Sequence, residues 1–378
     1  MKKIIFLIPN LNGGGAEKIL LDTVKNLDKK KYSIEIKCIF NKGLLIGDIP
    51  DDVEYSYIFD WFKEENLFTK ILLSLILRIL KIIPADILYL LFIKKQYDLE
   101  IAFLEGISTK IISGSYNVSK KIAWVHIDPL KLHYSKKAYI NTNSEKRAYQ
   151  SFDKICCVSS DVKKSLDYLY DTCSKSIVQL NVLNDQQVKR DSLKEIEEFR
   201  FENNNFNIIS VGRLMPQKNF QMLLKVVNDL IKENFKINLY ILGEGFEREK
   251  LEKYIDENNL KDNIKLLGFI SNPYPYIKKS DLFICSSITE GFSTVVSESI
   301  VLGVPVLTTD CAGMRDILNE SEYGLIVENN ENGLKKGLVK ILTDNEFYML
   351  LKDKANERSA FFDKNKRIKE LEYLFDFL

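Results

Sequence analysis

The stretch "KIIFLIPNLNGGGAEKILLDTVKNL", residues 3–27, decides how the fold is read. An unbroken apolar run passes through a glycine triplet, Gly13 to Gly15, into a segment whose apolar residues recur at helical spacing. A strand covered on both faces reads as a continuous apolar run, whereas a half-wet strand alternates. The opening unit is therefore a buried strand, a tight turn and an amphipathic helix. Lys2 and Lys3 imitate the start of a signal peptide. However, the core "IIFLI" is shorter than the usual ~7–15 residues, and no small-residue cleavage site follows it.

The same alternation continues through "YSIEIKCIF", "DLEIAFLEG", "KKIAWVH" and "DKICCVSS", which argues for a parallel sheet with helices on both faces. It restarts after Asn184 with "FNIISVG", "INLYILG", "NIKLLGF", "DLFICSS" and "VPVLTT". Residues 186–205 between the two series are charged, have little to bury, and read as a linker. At 378 residues the chain is about twice the usual domain length. The expected fold class is α/β, with two doubly wound, Rossmann-like domains, 1–184 and 185–378, facing each other across a cleft. The last helix is free to pack back on the first domain. Such sheets bind ligands outside the carboxyl ends of their strands, so site residues are expected there.

A net charge of +1 gives no global electrostatic footprint for nucleic acid, and none is expected as a partner. The six cysteines form no CxxC pair and mostly sit in strand-like runs, as buried free thiols of a reducing compartment would. The most apolar stretch, residues 70–95, is broken by Arg78, Lys81, Pro84 and Asp86, short of the ~18 uncharged residues of a spanning helix. Within it Lys70, Ser74, Arg78 and Lys81 recur at helical spacing. Residues 67–95 are accordingly a candidate for lying on an anionic membrane surface, the alternative being a helix packed on the first sheet with its polar stripe in water. The expected location is cytoplasmic, peripheral on the inner face of the cell membrane.

Gly14 and Gly15 stand where backbone N–H groups could meet an anion at a helix start, or simply make a tight turn. "ISVGRLMPQKN" spaces Arg213 and Lys218 along one loop after a strand. A guanidinium that forks two oxygens and a mobile ammonium suit a diphosphate; solvated surface charge is the other reading. Gly243 and Gly245 read as close-packing turn residues. In "ITEGFSTVVSESIVLG", residues 288–303, Glu298 falls inside a helix with few polar positions, where a carboxylate requires hydrogen-bond donors such as ligand hydroxyls. Glu290 precedes that helix beside free backbone N–H groups. Either glutamate could instead cap the helix or pair with a lysine.

Taken together, "GGGAE", "VGRLMPQKN", "LGEG", "LLGFI", "DLFICSS", "EGFSTVVSE" and "YGLIV" resemble, in order and over nearly the whole chain, glycosyltransferase family 4, retaining enzymes of GT-B fold. The resemblance implies that Arg213 and Lys218 hold the donor diphosphate and that Glu298 binds the ribose hydroxyls. Glu290 and the backbone of Gly291, Phe292 and Ser293 would face the donor sugar. Gly14 and Gly15 would approach the phosphate, Phe269 would border the base through its backbone, and His126 of "AWVHIDP" would lie near the sugar. Glu290, His126, Arg213 and Lys218 are thus the candidate catalytic set. The implied reaction moves a hexosyl unit from a nucleotide diphosphate sugar, UDP-linked, to a glycan or lipid-linked sugar in cell-surface polysaccharide assembly. The acceptor attacks on the leaving-group face, and a phosphate oxygen takes its proton. No DxD occurs and no Asp, His or Cys residues show metal-ligand spacing, so neither metal nor cofactor is expected. A nucleotide-sugar 2-epimerase of the same fold and a non-catalytic glycosyltransferase-like subunit remain the alternatives.

Overall fold

The opening apolar run is strand β1 (Lys2–Ile8), with Ile4 to Ile8 fully buried. The computed structural model describes residues 1–61, 67–196, 199–201 and 204–378. These fall into two units, residues 1–182 with 365–378 and residues 183–364.

In the first unit β1 is joined by β2 (Tyr32–Asn41), β3 (Glu54–Asp60), β4 (Leu99–Ala102), β5 (Lys120–Val125), β6 (Lys154–Cys157) and β7 (Ser176–Val178). All pair in parallel, in the order β3-β2-β1-β4-β5-β6-β7. Parallel neighbours need crossovers, and helices α1 (Gly15–Asn26), α2 (Leu67–Ile82), α3 (Ala85–Phe92), α4 (Ile107–Ser113), α5 (Thr142–Gln150) and α6 (Ser160–Tyr170) lie along them. The strand order reverses direction between β1 and β4. That is the switch point where the loops leaving the two strands diverge and open a crevice.

The second unit repeats the plan. Strands β8 (Phe206–Val211), β9 (Ile237–Leu242), β10 (Ile264–Gly268), β11 (Leu282–Cys285), β12 (Val306–Thr309) and β13 (Leu325–Val327) pair in parallel in the order β10-β9-β8-β11-β12-β13. The switch point falls between β8 and β11. Its helices are α7 (Asp185–Asp191), α8 (Phe220–Lys232), α9 (Arg248–Glu257), α10 (Tyr274–Lys279), α11 (Thr294–Val301), α12 (Met314–Leu318), α13 (Glu331–Thr343) and α14 (Asn345–Arg358). Leu223, Val227 and Leu230 of α8 share one helical face and join Leu239 and Ile241 of β9 in the core.

The final helix, α15 (Lys364–Phe377), belongs almost wholly to the first unit. Phe375 packs against Phe6 and Tyr32, the Tyr32 hydroxyl donates to Asp376 at 2.6 Å, and the Asp28 N–H donates to Glu372 at 2.8 Å.

Two expectations need correction. Residues 186–205 do not form a bare linker: α7 packs on α10 and α11 with Val188 buried, and Phe199 and Phe201 meet the Tyr240 ring edge-on, each at 5.0 Å. The charge count of that stretch concealed these few apolar anchors. Of the six cysteines, Cys173 is exposed, in the turn before β7, while the other five are buried and all are free.

Helices α2 and α3 leave about half of their described apolar side chains in water. Ile71, Leu75, Ile79, Ile82, Leu90 and Leu91 are exposed, Ile71 by 60% and Ile82 by 68%. Arg78 and Ser74 are exposed and Lys81 half-buried; the Lys70 side chain lies outside what the structure describes. A helix packed on the sheet with only its polar stripe in water is therefore not what is seen. Among the described residues no helix is long and apolar enough to cross a membrane.

Candidate active site

Where β8 ends, the chain turns through Gly212 to Lys218; where β11 ends, it continues through Ser286 to Glu290. These loops leave the two strands that flank the switch point, and hydrogen bonds zip them together. The Ser286 hydroxyl donates to the Lys218 carbonyl at 2.8 Å, the Ile288 N–H to the Gln217 carbonyl at 2.8 Å, and the Gln217 amide to the Thr289 carbonyl at 2.8 Å. From the far side the Thr309 hydroxyl and Asn329 amide donate to the Ser287 carbonyl at 2.7 and 3.1 Å. The turn after β9 braces the first loop. A Cβ on Gly243 would come within 2.0 Å of the Gly212 carbonyl oxygen, and one on Gly245 within 2.3 Å of that of Leu214. Both glycines are there for close backbone packing.

This framework holds the Lys218 ammonium 2.6 Å from Glu290 Oε1, which also accepts the Ser287 hydroxyl at 2.6 Å. Glu290 is buried and Lys218 half-buried. Burial alone would lower the proton affinity of Lys218, but the Glu290 carboxylate more than reverses that and raises it. Arg213, on the same loop, is exposed and has no ion pair with any described residue. Two expected candidates thus meet directly, and the third stands near them in sequence with its guanidinium in solvent.

Glu298 lies inside α11, 5% exposed, and its donors are provided by the protein: the Tyr274 hydroxyl, at the start of α10, donates to Oε1 at 3.1 Å. Ligand hydroxyls are not needed to account for its burial. Gly291, Phe292 and Ser293 are buried ahead of α11, where Ser293 is the N-cap residue but makes no side-chain cap. Its hydroxyl is buried without a hydrogen-bond partner among the described residues. Phe269 follows β10 with an exposed ring, beyond a break in register between Leu266 and Gly268.

In the first unit Gly14 is the N-cap of α1, and Gly15 is its first residue. The Glu17 carboxylate folds against Gly14, where a Cβ would meet its Oε2 at 2.4 Å. The helix start thus already has an anion of the chain's own.

Past β4 and β5 the first unit contains a candidate residue that the motifs did not point to. Glu105 Oε2 accepts the backbone N–H of His126 at 3.1 Å. Burial pushes the Glu105 carboxyl up to about 7, with hydrogen bonds from the backbone opposing the rise. Burial also pushes His126 down to about 3, countered in part by a hydrogen bond to the Phe103 carbonyl. Its ring sits 5.0 Å from the Phe103 ring, and Nε2 is buried with no partner among the described residues. The pair is therefore uncharged in weakly acidic solution. "FLEG" did carry a signal, since a carboxylate between a buried strand and a glycine is the same pattern that singled out Glu290. The other histidine, His133, is half-buried and bonds Glu145 and the Tyr170 hydroxyl, each at 2.9 Å. Among the described residues no three His, Cys, Asp or Glu converge as a metal site.

Comparison with known proteins matches residues 191–358 to the family "Glycosyl transferases group 1". An uncharacterized glycosyltransferase of Methanocaldococcus jannaschii is 30% identical over 259 residues, 66% of this chain and 67% of that protein. The chain belongs to the group 1 glycosyltransferases. A second relative is the N-acetylgalactosamine-N,N'-diacetylbacillosaminyl-diphospho-undecaprenol 4-alpha-N-acetylgalactosaminyltransferase of Campylobacter jejuni, 39% identical over 170 residues. That match covers 44% of this chain and 46% of the relative, so the chain spans about half of it. Among solved structures, Anabaena HepE in complex with UDP superposes with a TM-score of 0.74 over 100% of both chains at 16% identity. At that identity the likeness speaks for the fold, which is GT-B as expected. In this glycosyltransferase the charged groups Lys218 and Glu290 stand at the switch point of the second unit.

Proposed function

We propose that this glycosyltransferase moves a hexosyl unit from a UDP-sugar to a sugar hydroxyl of a lipid-linked acceptor, with retention at the anomeric carbon. The observation that carries the reading is the Lys218–Glu290 pair between the β8 and β11 loops. An ammonium has three donors, so Lys218 can keep Glu290 and also take a phosphate oxygen, while Arg213 on the same loop forks another. Fixed cations at the diphosphate stabilise the charge that develops as it leaves. The acceptor oxygen bonds to the anomeric carbon as the bond from that carbon to the phosphate oxygen breaks. The diphosphate departs with the electron pair and takes the acceptor's proton.

Glu290 is assigned to hydroxyls of the transferring sugar, and Glu298, anchored by Tyr274, to the ribose. In the first unit, Gly14 and Gly15 are assigned to backbone contact with the phosphate and His126 Nε2 to a sugar hydroxyl; in the second, the Phe269 backbone is assigned to the base. The Campylobacter relative is named for a diphospho-undecaprenol acceptor, and the Anabaena structure contains UDP, which supports the acceptor class and the base.

Peripheral binding to an anionic membrane belongs to the same reading. It rests on the exposed apolar faces of α2 and α3 and on exposed Arg78, with Lys136 and Lys137 in a short turn (Ser135–Ala138) that contacts α2. The test is a panel of UDP-sugars with a polyprenyl diphosphate disaccharide. A new α-glycoside is expected. An epimerised nucleotide sugar formed without acceptor would replace this reading with the epimerase one.

A further inference from the structure

The first unit contains a cavity of about 390 Å³, within the range of small-ligand sites, that none of the transfer residues lines. It lies on the flank of the unit, bounded by the bend between α2 and α3, the end of α4, and α5. Its floor includes Ser113 and Ser151, just ahead of β5 and β6, whereas Glu105 and His126 follow the carboxyl ends of β4 and β5. It is a separate place from the transfer chemistry.

Ile82, Ile83, Ala85 and Ala148 make the walls apolar, and Ile82 and Ile140 line it while 68% and 63% exposed. The charged side chains that line it are both basic, Lys110 and Arg147. Lys110 is 6% exposed, and its ammonium donates to the carbonyls of Leu80 at 2.8 Å and Lys81 at 2.6 Å, closing the end of α2. Its counterparts there are carbonyl dipoles, and burial lowers its pKa to about 8. Arg147 is exposed and has no ion pair with any described residue. A buried cation without a carboxylate favours an incoming anion, and apolar walls favour a hydrocarbon.

We propose that this cavity takes the hydrocarbon chain of an anionic membrane lipid, with its phosphate at Arg147. The cavity adjoins the exposed apolar face of α2 and α3, so a chain can enter from the bilayer on which that face would lie. A free phosphate would gain nothing from the apolar walls. The inference rests on the peripheral-membrane reading for its source of lipid, and not on the transfer chemistry.

The test titrates the full chain by calorimetry with dodecyl phosphate below its micelle concentration, with dodecanol and inorganic phosphate alongside. Dodecyl phosphate should bind at least tenfold more tightly than dodecanol, and inorganic phosphate should give no signal. Ala148→Trp, which fills the cavity, and Arg147→Glu, on the exposed face of α5, should each weaken dodecyl phosphate at least tenfold. Wild-type binding that both variants leave unchanged, or no binding of dodecyl phosphate, overturns the proposal. Vesicles of anionic phospholipid are sedimented in parallel. Retained vesicle binding without dodecyl phosphate binding removes the cavity while leaving the membrane reading intact. Loss of wild-type vesicle binding removes the membrane reading and the lipid source with it.

Discussion

The polar clusters at the strand ends of the two units of this glycosyltransferase share a backbone plan and differ in their chemistry. In each unit, loops leaving neighbouring parallel strands bring polar side chains together, β4 with β5 in the first and β8 with β11 in the second. The second site is zipped by hydrogen bonds around an ion pair, Lys218 with Glu290. The first is packed by aromatic rings, with a carboxyl that burial pushes towards its neutral form and an imidazole that burial keeps neutral. Strand order determines where a site can be; the partners around each side chain decide whether it is charged there. An anionic diphosphate suits the second site, and uncharged sugar hydroxyls suit the first.

The comparison breaks most visibly if Lys218 is removed. Lys218→Ala deletes the cation and strands the buried Glu290 carboxylate, a loss of about 3 kcal/mol or more. Thermal unfolding should register the destabilisation, and kcat/KM should fall at least a thousandfold. Pairing Lys218→Ala with Glu290→Gln should restore much of the stability without restoring turnover. If the double variant also regains activity, the diphosphate role of Lys218 is wrong. A smaller effect is expected in α11. Glu298→Gln weakens charge-assisted hydrogen bonds worth about 1.5–3 kcal/mol each, so UDP affinity measured by calorimetry should drop ten- to a hundredfold. Tyr274→Phe should give a lesser loss in the same direction.

The first unit makes its prediction through pH. Glu105 has its pKa raised to about 7, so its contribution to stability is full below the ordinary carboxylate range and is lost as pH rises towards 7. His126 has its pKa lowered to about 3, so its contribution is full above about 6.5 and is lost as pH falls from there towards 3. The two slopes oppose each other near pH 5–6. Denaturant titrations of Glu105→Gln should therefore show a steeper acid loss than wild type and more relative stability above pH 7; superimposable profiles would remove the neutral pairing. The smallest expected effect is that of excess EDTA, because the sequence has no DxD and Arg213 and Lys218 are assigned to the diphosphate charge. Turnover lost in EDTA and restored by magnesium or manganese would contradict that assignment.

Most of the fold was legible because parallel strands covered on both faces leave unbroken apolar runs. β1, β8 and β9 each stood out in this way, and turn glycines such as Gly243 and Gly245 marked their ends. The place of α7 was not legible, since a helix anchored by Val188 alone carries little periodic signal. The reading of Glu290 left two options open, a ligand contact or a pairing with a lysine. The structure realises the second with the very lysine assigned to the diphosphate, which spacing could not show, because 72 residues separate the pair. Glu298 needed donors, as burial dictates, but the Tyr274 partner came from a different helix. Glu105 went unread although its local pattern matched that of Glu290. The exposed apolar face of α2 was legible as one of two options, the membrane surface, the other being the buried packing that an apolar helix ordinarily has.

The central claim is that Glu290 holds Lys218 in place and serves the transferring sugar, while the cations of the β8 loop hold the diphosphate. Glu290→Gln tests it directly, with UDP binding measured by calorimetry and turnover measured with the full donor and acceptor. UDP lacks the sugar, and the variant frees Lys218 from its carboxylate. UDP should therefore bind as tightly as to wild type or more so, while turnover falls at least a hundredfold. Near-normal turnover, or UDP binding lost in step with turnover, would contradict the account and make Glu290 a structural partner of Lys218.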